Sequence, residues 1–171
     1  MELVEIGKNI LTNCMNVKPG ENVLIVTDDE KYAIGQTLYQ AAKLLKAEAM
    51  LMTMTAREVS GQEPPAVVAA AMKAADVVIC PMKTSITHTR AKIEAAEAGA
   101  RIATMPGITE EMFAMGAMTA DYSRVMALTE QVTAKKQTNA AVLDPAPITG
   151  IGTACLASGT PGSPAQLIII A

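Results

Sequence analysis

The densest run of chemically capable side chains lies between residues 81 and 90, Pro-Met-Lys-Thr-Ser-Ile-Thr-His-Thr-Arg. It holds the chain's only histidine, His88, with Lys83, Thr84, Ser85, Thr87, Thr89 and Arg90 around it. Such donors at the start of a helix suit a carboxylate, a phosphate or another polar substrate. The first N–H groups of a helix have no partner within it, and its dipole favours negative charge. The same residue types also serve structure alone: Ser85 or Thr87 can cap the helix, and His88 can bond to backbone. The second group of interest is Asp28-Asp29. Two adjacent carboxylates are half a site for a hard cation, which wants more oxygen ligands than two side chains provide. Either can instead cap the helix that follows.

Other chemistries lack their residues. Cys14, Cys80 and Cys155 are far apart and form no C-x-x-C pair, and with a single histidine no zinc set can be assembled. No G-x-G-x-x-G follows the first strand and no G-x-S-x-G elbow is present. No complete catalytic set is expected in this chain, and no metal site. The net charge is -3, without a basic stripe, which removes the electrostatic basis for nucleic-acid binding. No uncharged apolar run has the length of a membrane span, and Met1-Glu2 opens an amphipathic pattern and not a secretory leader. Buried, reduced thiols and a cytoplasmic location are therefore expected.

These side chains need a frame, and the frame is regular. Leu3, Ile6, Ile10 and Leu11 recur at helical spacing. Asn22–Thr27 is a short apolar run rich in β-branched residues, as in a strand covered on both faces. Ile34, Leu38, Ala41, Ala42 and Leu45 mark a helix over 31–46. The cycle repeats with strands at Glu48–Thr55, Asp76–Cys80 and Arg101–Met105. Helices are predicted over Ala66–Ala75, Thr87–Gly99, from Thr109 onward and over 119–136. Pro81 is expected to end the third strand. Strands alternating with helices through short connectors imply an α/β three-layer sandwich, flavodoxin-like or Rossmann-like. Its mainly parallel sheet of four to five strands should run 2-1-3-4 with right-handed crossovers. In such sheets ligands bind beyond the carboxyl ends of the strands where the order reverses, which sets Asp28 and Asp29 against the 81–89 loop.

The composition then changes. From Gln137 to Ala171 the only charged residue is Asp144, and Pro145, Pro147, Pro161 and Pro164 interrupt the chain before an apolar end, Leu167–Ile170. Residues 1–136 are expected to form the α/β domain and 137–171 an atypical tail, with Ala140–Leu143 as a candidate fifth strand.

Two stretches carry a resemblance. One is Ser85-Ile86-Thr87-His88-Thr89-Arg90-Ala91, running on to Glu94-Ala95 and Gly99-Ala100-Arg101. The other is Ala103-Thr104-Met105-Pro106-Gly107-Ile108-Thr109-Glu110-Glu111-Met112. Together, and over residues 1–136 as a whole, they resemble the amino-terminal domain of the aminopeptidase T / aminopeptidase S family of metallo-aminopeptidases, of the thermophilic leucyl aminopeptidase type. Dihydroxypyridine dioxygenases look like relatives of the same family. The resemblance implies a two-domain enzyme, often a homodimer, that hydrolyses peptides at the amino terminus with two divalent metal ions. Its ligands are implied to be carboxylates and histidines of a carboxy-terminal domain, none of which maps onto this chain. The family pattern should go on to a G-T-D-L-type strand and an N-L-P-x-G-E-type segment, where this chain reads Thr149-Gly150-Ile151-Gly152-Thr153. A truncation, a frame shift or a natural short paralogue would each account for that departure.

Three functions follow as expectations. The first is a truncated or isolated amino-terminal domain, inactive alone and completed by the missing catalytic domain. The second is a non-enzymatic module that binds a small anion or a peptide terminus at the loop around His88. The third is a small enzyme using that loop.

Overall fold

A computed structural model describes residues 3–119, residues 124, 127 and 128, and the backbone of 166–168. The elements come in alternation. Helix α1 (Leu3–Asn9) runs into a π-helical turn (Ile10–Cys14) and is followed by β1 (Asn22–Asp28), α2 (Tyr32–Leu44) and β2 (Glu48–Met54). Next come α3 (Ala66–Ala74), β3 (Val77–Met82), α4 (Arg90–Glu97), β4 (Arg101–Pro106) and α5 (Glu110–Ala114). A 3-10 turn (Gly116–Thr119) and a short β5 (Gln166–Ile168) complete the described chain. The sheet order is β2-β1-β3-β4-β5 and every pairing is parallel. This is the α/β three-layer arrangement that the alternating pattern predicts. The added strand is Gln166–Ile168 against Ile102–Thr104. The candidate strand Ala140–Leu143 and most of the helix expected over 119–136 lie outside the described residues.

Period-two alternation along the central strands divides the core into two layers. Val23 and Ile25 of β1, Val77 and Ile79 of β3, and Ala103 and Met105 of β4 face α1, α2 and α5. Leu24 and Val26, Val78 and Cys80, and Ile102 face α3 and α4. Each fully buried large side chain contributes roughly 1.5–3 kcal/mol through its removal from water. The first layer is closed at one end by the chain's only phenylalanine, Phe113 of α5. Small residues let the helices sit close. A Cβ on Gly35 of α2 would lie 2.9 Å from Thr27, and one on Gly7 of α1 would lie 3.0 Å from Ala41.

Two boundaries differ from expectation. Leu3 is partly exposed, so the buried face of α1 begins at Ile6. Pro81 does not end β3, which runs on to Met82 and stays in register with β4, Pro81 opposite Met105. The cost falls on the other side. Pairing of β1 with β3 stops at Ile25–Ile79, although β1 itself continues to Asp28. The Pro81 carbonyl faces β1, where Thr27 Oγ1 donates to it at 2.9 Å. In an extended chain the nitrogen of a residue points the same way, and a proline nitrogen has no hydrogen to give. The central pair of strands therefore parts at its carboxyl end.

The opposite ends of these strands are tied. Asp76, just before β3, accepts the backbone N–H of Asn22 (2.8 Å) and its side-chain amide (3.1 Å). These bonds, with a smaller contribution from the charge of Arg101, hold the Asp76 carboxyl below the usual carboxylate range. Because the folded value is depressed, its stabilisation is present above the unfolded value and fades as pH falls through the folded one. Asp76→Ala should flatten the acid limb of a stability–pH curve below about pH 4, read by urea midpoints. A second test concerns β1. Leu24 is buried between the sheet and α3/α4, so Leu24→Asp should abolish folding, since an unpaired buried charge costs several kcal/mol. Cooperative melting near the parent temperature would contradict this placement.

Candidate functional site

The loop after β3 and the end of β1 meet where the strands part. Asp28, the last residue of β1, is fully buried. Its Oδ1 accepts the N–H of Lys31 at 3.0 Å and its Oδ2 accepts the N–H of Lys83 at 2.6 Å. One carboxylate thus serves the turn into α2 and stitches β1 to the loop after β3, replacing the ladder that Pro81 interrupts. Asp29 is exposed and turns the other way, accepting the N–H of Ala56 beyond β2 at 2.8 Å. The two aspartates share no bonding partner, and each has its own structural task.

The loop residues are similarly engaged. Lys83 Nζ bonds Glu30 Oε1 at 2.6 Å, and this hydrogen bond, with the charge of Glu30, holds the ammonium above its usual range. Ser85 Oγ donates to Thr87 Oγ1 at 2.9 Å and accepts the Thr87 N–H at 3.2 Å. Thr87 Oγ1 lies 3.0 Å from Thr104 Oγ1 of β4, both buried. The loop is also pinned to the β2–α3 connection: Ser85 N–H donates to Ser60 Oγ at 3.2 Å, and Gly61 N–H to the Ser85 carbonyl at 2.7 Å. Thr84 Oγ1 is a buried oxygen with no partner among the described residues.

Helix α4 begins later than the sequence suggests. Its cap is Thr89, not Ser85 or Thr87: Thr89 Oγ1 accepts the Lys92 N–H at 3.3 Å and donates to the Ile86 carbonyl at 2.7 Å. Ser85 and Thr87 instead build the loop that leads into the helix. His88 is exposed at this start, with no bond to backbone among the described residues, and the exposed Arg90 side chain reaches Glu94 at 3.4 Å.

The decisive residue at this helix start is one that sequence reading missed. Glu63, from the β2–α3 loop, accepts the N–H groups of Arg90 (2.6 Å) and Ala91 (3.2 Å). The free amides of an N-terminus attract an anion, and here the chain supplies its own carboxylate. The capping-box spacing that normally flags such a glutamate lies within one helix, whereas Glu63 arrives from a different loop, so no local pattern announces it. Lys92 is another such residue: it is buried in the first turn of α4, and loss of solvent lowers its pKa, partly offset by Cys80. Burial pushes the Cys80 thiol up to about 12, so it stays protonated and unreactive at neutral pH.

The donor set can be tested against the metal pair that the family resemblance implies. Among the described residues no three histidine, cysteine or carboxylate side chains converge in a way that could hold an ion. Asp28, Asp29, Glu30 and Glu63 are each committed to amides or to Lys83. These residues do not fit a divalent metal centre.

Comparison with known proteins adds a likeness to solved structures. No family model matches the chain, and no curated protein matches it by sequence. A 2,5-dihydroxypyridine dioxygenase from Pseudomonas putida KT2440 superposes with a TM-score of 0.51 at 18% identity, over 61% of this chain and 34% of that one. The likeness is one of fold. Wild-type AmpT from Thermus thermophilus aligns over 81% of this chain and 46% of its own, at 15% identity and a TM-score of 0.40. The chain thus spans less than half the length of either structure. No described helix is long and apolar enough to cross a membrane.

Removing the carboxylate of Asp28 strands two amides where the sheet has already lost its ladder. Asp28→Ala should cost roughly 3 kcal/mol in urea unfolding, and Asp29→Ala, at an exposed position, well under half of that. Equal losses at the two positions would show that Asp28 is not the clamp.

Proposed function

We propose that this chain is the amino-terminal α/β domain of an aminopeptidase T-like metallo-aminopeptidase, a structural and substrate-facing half that does not hydrolyse peptides by itself. One observation supports it most. The two stretches that resemble the family, the Ser85–Ala91 motif and the Ala103–Met112 strand and turn, are joined by the buried Thr87–Thr104 hydrogen bond. Hydroxyls at these positions are required by the way the loop seats on β4. The shared motif then reads as the signature of a domain type whose chemistry is supplied elsewhere. The commitment of Asp28, Asp29 and Glu63 to backbone amides supports the same reading, because hydrolysis assisted by metals needs carboxylates free to hold an ion and leave room for water.

A second reading, a module that binds a small anion or a peptide terminus at the start of α4, draws on the exposed His88 and Arg90. Any such anion would have to displace Glu63 from the amides of Arg90 and Ala91. That competition makes the second reading the weaker one for the unmodified chain.

The test is a purified sample, supplied with zinc, cobalt or manganese, on aminoacyl chromogenic substrates. No turnover above the metal-only blank is expected. Turnover that is lost in His88→Ala, with the melting temperature unchanged, would make the domain an enzyme in its own right. Isothermal titration with phosphate and with a short peptide should likewise show no heat for the parent chain.

A further inference from the structure

Strand β2 differs from its neighbours in what it turns toward α3. Its register with β1 sets Met50 beside Leu24 and Met52 beside Val26, residues of the core layer under α3 and α4. Alternation then puts Glu48, Met50, Met52 and Met54 on that one face. On the other strands this face carries Leu24, Val26, Val78, Cys80 and Ile102, mostly the branched side chains that strands favour. On β2 it carries three methionines in succession, M-x-M-x-M.

Core filling alone does not account for them. Met72, Met82 and Met105 are core methionines, with 2% or less of their surface exposed. Met50 is 42% exposed, and Met52 and Met54 pack against the core from its margin, each partly open to solvent. Ala71 and Ala74 of α3 are too small to cover them. They leave a groove of about 750 Å³ that Met50 and Met52 line.

We propose that the Met50-x-Met52-x-Met54 face binds a soft monovalent cation, copper(I), through its thioether sulfurs. Thioethers are polarizable, neutral donors that select copper(I) over the hard and borderline divalent ions. The spacing suits one ion. Alternate residues of a parallel strand stand about 6.6 Å apart on the same face, and three rotatable bonds let each methionine swing its sulfur toward Met52 in the middle. A branched aliphatic side chain at any of the three positions would fill the same space and offer no donor. The apolar walls formed by Leu24 and the alanines keep the number of competing waters low. The single positive charge of the ion is answered at the open end of this face by Glu48, which is exposed. This donor set is distinct from the histidine, cysteine and carboxylate groups considered above. It involves no change of oxidation state and no covalent step.

The test is a titration of the full chain, labelled with [methyl-13C]methionine, with silver(I) as a redox-inert stand-in for copper(I). The titration is carried beyond the amount that Cys14, Cys80 and Cys155 can take up. The chain has twelve methionines, and Met→Leu substitutions assign their methyl signals. The signals of Met50, Met52 and Met54 are expected to shift together and saturate. Met52→Leu keeps the volume and removes the central sulfur. It should weaken the response at positions 50 and 54 by about tenfold or more, with the melting temperature little changed. Met50→Leu, at the most exposed of the three positions, keeps the test decisive if the first variant does not fold. With copper(I) itself, the parent should withdraw more metal from a chromogenic chelator than either variant. The proposal is overturned if the three signals do not move. It is equally overturned if Met112 and Met115, which are 38% and 58% exposed, respond as readily as Met50, since binding would then follow exposure alone. Variants that bind silver(I) or copper(I) as the parent does would also overturn it.

Discussion

A single missing hydrogen organises the business end of this molecule. Pro81 sits inside a central strand and has no amide to give β1, so the two central strands part after Ile25 and Ile79. A buried backbone group without a partner costs as much as a lost hydrogen bond, and the surroundings must absorb it. Thr27 donates its hydroxyl to the Pro81 carbonyl, and Asp28 reaches across to the amide of Lys83. The loop from Lys83 to Thr89 takes its course from that anchorage. Through Ser85, Thr87 and Thr104 the same loop is locked to β4, and through Ser60 and Gly61 to the connection after β2.

Hydroxyl-rich, charged segments at the carboxyl ends of parallel strands invite a catalytic interpretation, because ligands commonly bind there. Here most of those side chains answer to a structural demand. Glu63 shows the point well: it fills the helix start that would otherwise draw a phosphate or carboxylate from solution. What remains outward-facing is His88 and Arg90, a surface on which another domain or molecule could be received.

Much of this architecture is legible in the sequence because it rests on local pattern. The runs Asn22–Thr27 and Asp76–Cys80 are too apolar and too β-branched to be anything but covered strands, and the order around β1 follows from short, right-handed connections. The meeting of Asp28 with the 81–89 loop follows from that order as well. Several things escaped, each for a non-local reason. Pro81 reads as a strand breaker unless one knows that its nitrogen faces the side where β1 and β3 have parted. Thr89 and not Ser85 caps α4 because Ser85 and Thr87 are drawn toward Ser60 and Thr104. Glu63 acts on a helix that starts far along the chain, which no spacing rule can detect. The fifth strand, at Gln166–Ile168, likewise depends on what the edge of β4 will accept.

The close seat of α2 on β1 has a consequence for how this sequence can diverge. Both Thr27 Cβ and Cγ2 stand 2.9 Å from where a Gly35 side chain would begin, so trimming the Thr27 methyl alone does not make room. Emptying position 27 would make room, but it would also withdraw the hydroxyl from Pro81. Position 27 thus couples 35 and 81 physically, the first by contact and the second by a hydrogen bond. A larger side chain at 35 therefore asks for glycine at 27, and glycine at 27 leaves the Pro81 carbonyl without its donor.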